Sequence, residues 1–257
     1  MKFSKYHGAG NDFVIVDDRN ESFLHLDSED IRLICDRHFG IGADGMMLLR
    51  HDTLSDFKMI YFNSDGNQSS MCGNGGRCIV GFAKRLAMIN EEADFMAIDG
   101  KHQAKVLSKE LISLQMTDVN SVEVLNKSSV FLDTGSPHVV MMRENIHDMD
   151  LITEARKIRN SDRFITEGVN VNFVELIDSK LNIRTYERGV EDETLACGTG
   201  VTAAAIAFHH WGLPETVVDL KAIGGDLSVC FKYSGGNYTD IWKTGPIKHV
   251  FDGTWKR

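Results

Sequence analysis

A strand-like run that ends in a Cys-Gly-x-Gly turn and continues as a helix occurs twice in this chain, and that repetition constrains the fold most. The first copy runs from Lys58–Phe62 through Asn63-Ser64-Asp65-Gly66-Asn67 to Cys72-Gly73-Asn74-Gly75-Gly76-Arg77, with a helix-like run over Cys78–Ile89. The second runs from Leu181–Glu187 through Arg188-Gly189 to Cys197-Gly198-Thr199-Gly200 and an Ala-rich segment. Each copy puts a cysteine at the start of a helix, next to glycines that let backbone N–H groups approach a ligand. Such a position carries about half a positive elementary charge, which favours a thiolate or a bound carboxylate. A thiol displaced toward neutrality is expected at both positions.

The landmarks around each cysteine recur in order. Asn11 precedes Cys72, and His138 precedes Cys197, by about 60 positions in both cases. A Gly-rich turn at Tyr6–Asp12 leads into the strand-like Phe13–Asp17, and Asp133–His138 leads into Val139–Met142. Helical spacing follows in each half, at Ile31, Ile34 and His38 after a cap at Ser28, and at Leu151, Ala155 and Ile158. Strands are expected at Gly45–Arg50, Asp94–Asp99, Gln103–Leu107, Leu111–Met116, Asn170–Ile177, Val217–Leu220, Asp226–Tyr233 and Tyr238–Lys243. Leu227, Val229, Phe231 and Tyr233 alternate with polar neighbours, as in a half-buried antiparallel strand. The reading is therefore two domains of like design, 1–117 and 118–245. The tail 246–257, with its strand-like Lys248–Phe251, is open to pairing with either one.

Bulk properties narrow the function. The chain has 257 residues, 42% of them hydrophobic and 25% charged, with a net charge of −9. It offers no basic excess to neutralise phosphates, so a nucleic-acid partner is not expected. No apolar run approaches the ~18 residues of a membrane span, and Met1–His7 lacks the apolar core of a signal peptide. The five cysteines, Cys35, Cys72, Cys78, Cys197 and Cys230, are odd in number and scattered. A reducing cytoplasm suits them better than a disulfide framework. Their spacing does not match a zinc site, and no feature requires an organic cofactor such as pyridoxal phosphate.

Cysteines are usually small buried hydrophobes, which is the reading for Cys35, Cys78 and Cys230. Cys72 and Cys197 stand apart because turn glycines and repeat equivalence mark both. Asn63, Asn67, Asn74 and Asn170 read from composition as turn residues, and His7 and His138 as capping or packing residues. If the two halves face each other, a small anion between them would have its carboxylate held by both helix ends and its α-carbon flanked by two sulfurs. One thiolate would remove the α-proton while the opposite thiol protonated the other face, inverting the stereocentre. Without an electron sink, fixed N–H dipoles in a dry cavity must stabilise the carbanion by ~8 kcal/mol or more. The competing readings are a racemase of a different amino acid, a pyridoxal enzyme, and a binding or redox protein whose cysteines pair or hold metal.

The chain resembles the diaminopimelate epimerase family over nearly its full length. The resemblance is carried by His7-Gly8-Ala9-Gly10-Asn11-Asp12-Phe13, Gly40-Ile41-Gly42-Ala43-Asp44-Gly45, Phe62-Asn63-Ser64-Asp65-Gly66 and Met71-Cys72-Gly73-Asn74-Gly75-Gly76-Arg77-Cys78. It continues through Gly135-Ser136-Pro137-His138, Gly168-Val169-Asn170, Tyr186-Glu187-Arg188-Gly189 and Ala196-Cys197-Gly198-Thr199-Gly200. It implies an α/β (α+β) fold of two pseudo-symmetric domains, each a mostly antiparallel β-sheet wrapped around a central helix. It also implies Cys72 and Cys197 as the acid/base pair of a cofactor-independent enzyme that interconverts L,L- and meso-diaminopimelate. Gly73, Asn74, Gly198 and Thr199 would bind the reacting carboxylate through backbone N–H groups. Asn11, Asn63, Asn170, Glu187 and Arg188 would hold the rest of the substrate. A homodimer serving lysine and peptidoglycan synthesis is implied as well. Three departures stand out: Gly45 where some members have glutamine, Ser136 where asparagine is common, and an extra acidic residue within Val190–Glu193.

Overall fold

The computed structural model describes residues 1–69 and 71–256. It comprises two compact units, one made of Met1–Leu114 with the chain from Gly245 onward, the other of Gln115–Thr244. Both are mixed α/β structures with mainly antiparallel strand pairing and few helices.

The first unit opens with strands β1 (Lys2–Gly8) and β2 (Asn11–Asp17), an antiparallel hairpin in which Gly8 faces Asn11. The turn expected over Tyr6–Asp12 is therefore only two residues long. Ala9 and Gly10 both have positive φ, 52° and 85°, the turn type whose twist matches paired strands. Lys5 hid β1 from the sequence pattern: it is buried among Phe3, Ser4 and Tyr6, so no alternation is visible.

Helix α1 (Ser28–Cys35) is capped by Asp27, which accepts from Asp30 N at 2.9 Å, one residue earlier than the expected Ser28. It also ends earlier than expected. Asp36 accepts from the N–H groups of His38 and Phe39, turning the chain and leaving His38 outside the helix. Next come β3 (Gly45–Arg50), β4 (Phe57–Asn63), β5 (Gln68–Ser69), α2 (Gly73–Arg85), β6 (Glu92–Ala97), β7 (Gly100–Ser108) and β8 (Leu111–Gln115). β3 runs parallel to β2 and antiparallel to β4, and β6 runs parallel to β4.

Successive side chains of β2 point to opposite faces. Phe13 and Ile15 pack with Ile79, Val80 and Phe82 of α2, while Val14 and Val16 pack with Ile31 and Ile34 of α1. A strand covered on both faces reads as an unbroken apolar run, which is what Phe13–Val16 presents.

The second unit repeats this order. It contains β9 (Glu123–Asn126), β10 (Ser129–Asp133), β11 (Pro137–Met142), a short 3-10 turn at Ile146–Asp148, α3 (Leu151–Arg159), β12 (Asn170–Ile177), β13 (Lys180–Glu187), β14 (Asp192–Thr194), α4 (Gly198–His210), β15 (Val217–Ala222), β16 (Gly225–Ser234) and β17 (Asn237–Pro246). β10 and β11 form a hairpin, β12 is parallel to β11, β13 is antiparallel to β12, and β15 is parallel to β13. These are the pairings of β1, β2, β3, β4 and β6 again. Val201 and Ala203–Ala207 of α4 are fully buried, as suits a helix apolar all round. β9 was not anticipated, because its mostly exposed residues carry no periodic signal. The chain then returns to the first unit, where β18 (Lys248–Thr254) pairs antiparallel with β1. Among the described residues no helix is long and apolar enough to cross a membrane.

Candidate functional site

Both marked cysteines are helix N-caps of matching geometry. Cys72 precedes α2 with φ −85° and ψ 124°, and Cys197 precedes α4 with φ −94° and ψ 119°. In each, the cysteine carbonyl accepts the first intrahelical bond, from Gly76 N at 2.7 Å and from Val201 N at 3.0 Å. Neither helix has an acidic residue in its first turn, and neither sulfur caps its helix through the side chain. First-turn N–H groups have no intrahelical acceptor. Gly73, Asn74, Gly198 and Thr199 supply such groups, next to each sulfur.

In the first unit, Asn11 begins β2, and its Oδ1 accepts from the Cys72 thiol at 3.5 Å. Its Nδ2 donates to Asp44 Oδ2 at 2.7 Å. A carboxylate only accepts, so Asp44 determines which end of the Asn11 amide meets the sulfur. Asp44 is itself held by Arg37, which also bridges Asp12, while Lys5 pairs with Asp12 at 2.7 Å. Asn63 ends β4 opposite Gly45, and its N–H donates to Asn67 O across the loop. Gly45 has no room for a side chain: a Cβ there would lie 2.5 Å from Phe62 O and 2.6 Å from the Tyr61 ring. Tyr61 fills the space beside Gly45. The side chain of Asn74 is buried, and its Oδ1 accepts from Arg77 at 2.9 Å.

In the second unit Cys197 is buried, with Thr199 Oγ1 3.5 Å from its sulfur. Burial, and next the charge of Glu187, push its thiol up to about 12, against smaller opposing effects of Thr199, the Gly200 N–H and Lys243. The displacement toward neutrality expected from the helix end does not occur here. Magnitudes explain why: a helix terminus contributes at most about 2 kcal/mol, or roughly 1.5 pKa units. Full burial moves a group by as much as about 3–5 units. Burial also raises the Glu187 carboxyl, against smaller opposing effects of Thr194 and then the Cys197 thiol. Cys35 is likewise raised to about 12, and Cys78 is raised further, both by burial.

Asn170 and Asn172 share the α4-facing side of β12. Asn170 donates through Nδ2 to Ser136 Oγ (2.8 Å) and Pro137 O (3.0 Å), and its Oδ1 accepts from Arg188 N at 2.9 Å. It thus ties the Gly135–His138 turn to the turn that carries Arg188. The exposed Arg188 guanidinium donates to Glu167 O at 3.0 Å, and its stem lies over Gly168. Sequence reasoning passed over Asn172 and read His138 as a capping or packing residue. Asn172 donates to Val139 O at 3.1 Å and accepts from Thr185 Oγ1 at 2.9 Å, so its amide has one orientation. Its remaining N–H therefore points at His138 Nδ1, 3.0 Å away. With Nδ1 accepting, the neutral ring carries its proton on Nε2. His138 is fully buried, and burial, then the Arg188 charge, lower its pKa to about 3. A Cβ on Gly200 would sit 3.4 Å from His138 Cε1 and 3.3 Å from Cys197 Cβ, which places the ring beside the start of α4. The available signal was the Asn170-x-Asn172 spacing, two polar side chains on one face of a buried strand.

Comparison with known proteins bears on what such a chain does. The family model described as "Diaminopimelate epimerase" matches residues 3–122 and 130–250. A protein of that name from Flavobacterium psychrophilum is 48% identical over 99% of this chain and 100% of its own length. Another from Aquifex aeolicus is 38% identical over 98% of this chain and 97% of its own. Among solved structures, a phenazine biosynthesis protein of the PhzF family from Bacillus anthracis superposes with a TM-score of 0.75 at 12% identity, covering 98% of both chains. A probable proline racemase from Agrobacterium radiobacter reaches 0.68 at 13% identity, over 99% of this chain and 92% of its own. At such low identity these two show a shared fold alone.

Proposed function

The chain belongs to the diaminopimelate epimerase family, and on that footing we propose that it interconverts L,L- and meso-diaminopimelate without a cofactor, using Cys72 and Cys197 as its two acid/base groups. The observation that carries the assignment of the pair is their matched geometry as N-caps of two equivalent helices.

In the proposed cycle a thiolate takes the α-proton and becomes a thiol. The electron pair left on the α-carbon delocalises into the carboxylate, whose developing charge is met by N–H groups of Gly73, Asn74, Gly198 and Thr199. The opposite thiol gives its proton to the other face and becomes a thiolate. The starting charge state is thereby mirrored, and the reverse reaction uses the same groups with roles exchanged. Cys197, with its thiol held up by burial, is suited to begin as the acid. Two such sulfurs titrate as a coupled pair whose working state is singly ionised.

Asn11, Asn63, Asn170, Glu187 and Arg188 are proposed to hold the substrate. Arg188 has the fork geometry for a carboxylate, and Glu187 accepts from an ammonium. Asn170 acts chiefly by holding the turns that carry its neighbours, since both of its N–H groups are engaged. The proposal extends to a cytoplasmic homodimer serving lysine and peptidoglycan precursor synthesis.

The test is incubation with L,L-diaminopimelate in deuterated water without added cofactor. The expected result is deuterium at one α-carbon and formation of the meso isomer. Exchange with proline or another amino acid, and none with diaminopimelate, overturns the substrate assignment.

A further inference from the structure

Arg77 is a fully buried arginine with no carboxylate partner among the described residues. It lies in the second turn of α2, and its guanidinium reaches back toward the helix start. NH2 donates to Asn74 Oδ1 at 2.9 Å, NH1 donates to Gly73 O at 3.3 Å, and Nε is buried without an acceptor. An uncompensated buried charge is among the most costly features a fold can retain. The titratable groups whose charge acts on this one are Cys78 and Cys72. Cys78 is completely enclosed, and burial holds it as a thiol.

The equivalent position in the other helix, five residues after Cys197, is Thr202. It makes the same backward contact, donating to Gly198 O at 3.2 Å, but brings no charge. Cys197 has instead the carboxylate of Glu187 as the strongest charge acting on it. The two N-cap cysteines, alike in backbone, therefore differ in the charge nearest to hand: the Arg77 cation acts on Cys72, and the Glu187 carboxylate acts on Cys197.

We propose that Arg77 is a positioning residue whose buried positive charge makes Cys72 the thiolate of the resting protein. The inference rests on the reading of Cys72 as an acid/base group. Other groups facing the sulfur work against ionisation. From β2, Asn11 Oδ1 accepts the S–H proton and so favours the thiol, and the Asp44 carboxylate behind Asn11 acts in the same direction. From its own helix, Cys78 contributes no charge while it stays a thiol. Arg77 opposes Asn11 and Asp44, so its loss leaves them to raise the Cys72 thiol.

The test reads ionisation rather than turnover, which keeps it separate from the epimerase assignment. In Cys197→Ala protein, the rate of Cys72 alkylation by iodoacetamide is followed against pH by peptide mass spectrometry. With Arg77 present, the midpoint is expected below the ordinary thiol value of ~8.5. Arg77→Gln keeps a donor for Asn74 and removes the charge. It is expected to raise the midpoint by about one unit or more, a roughly tenfold fall in alkylation rate at pH 7. Arg77→Lys, which keeps the charge, is expected to restore most of that loss. An unchanged midpoint in folded Arg77→Gln overturns the proposal. Should that variant not fold, the Cys197→Ala protein decides alone: a Cys72 midpoint at or above the ordinary thiol value contradicts a charge acting on it.

Discussion

Asn172 Nδ2 lies 3.0 Å from His138 Nδ1, and this donor keeps the proton of a fully buried ring on Nε2. The contact has a consequence for stability. The folded ring has a pKa lowered from 6.5 to about 3, so between those values the unfolded chain binds a proton that the folded one refuses. Stability therefore falls as the pH drops through that window, by up to about 1.4 kcal/mol per unit from this ring. Urea unfolding at a series of pH values is expected to show a shallower acid slope for His138→Gln than for the parent. Equal slopes would mean that the ring is not held neutral.

Asp44 acts one step from the chemistry. Its carboxylate receives Asn11 Nδ2 at 2.7 Å and the Asp12 N–H at 3.1 Å, and so turns Asn11 Oδ1 toward Cys72. In Asp44→Asn the new amide both donates and accepts, and Asn11 loses its single orientation. A misplaced group next to a reacting atom costs about ten- to a hundredfold in rate. The expected outcome is a loss of that size in kcat with the fold retained by circular dichroism; full activity would remove Asp44 from the account.

Gly200 and Gly75 occupy the same place after their cysteines but differ in what surrounds them. A Cβ at Gly200 would lie 2.5 Å from Asn172 Oδ1, an atom pinned by Thr185. At Gly75 the obstacle is the terminal methyl of Met47, at 2.4 Å, which can swing aside. Gly200→Ala is expected to cost about 1–3 kcal/mol of stability and Gly75→Ala less than about 1 kcal/mol. Thermal unfolding of the two variants checks the order; a reversed order would contradict this difference in packing.

The duplicated order of elements was legible in the sequence because each half opens its central helix with a strong local signal, Cys-Gly-x-Gly. The parts that escaped share a physical cause. β1 was hidden by buried Lys5, whose charge is met by Asp12, a partner that no local pattern displays. Asn172 looked like any strand polar residue, since its role depends on His138 and Thr185, 34 and 13 positions away. The thiol of Cys197 was expected to drift toward neutrality because a helix end is visible in sequence and burial is not. In Arg77, part of the motif that marks the family, the sequence showed the residue but not that it lacks a carboxylate partner among the described residues.

The central claim is that each cysteine serves one face of the α-carbon. The most direct test is the distribution of label when L,L-diaminopimelate is turned over briefly in deuterated water. Two separate bases predict that the meso product carries solvent deuterium at the inverted carbon from the first turnover, while recovered substrate remains largely unlabelled. Product that keeps the original proton, or label distributed equally between product and recovered substrate, would indicate one base serving both faces and would contradict the assignment of Cys72 and Cys197.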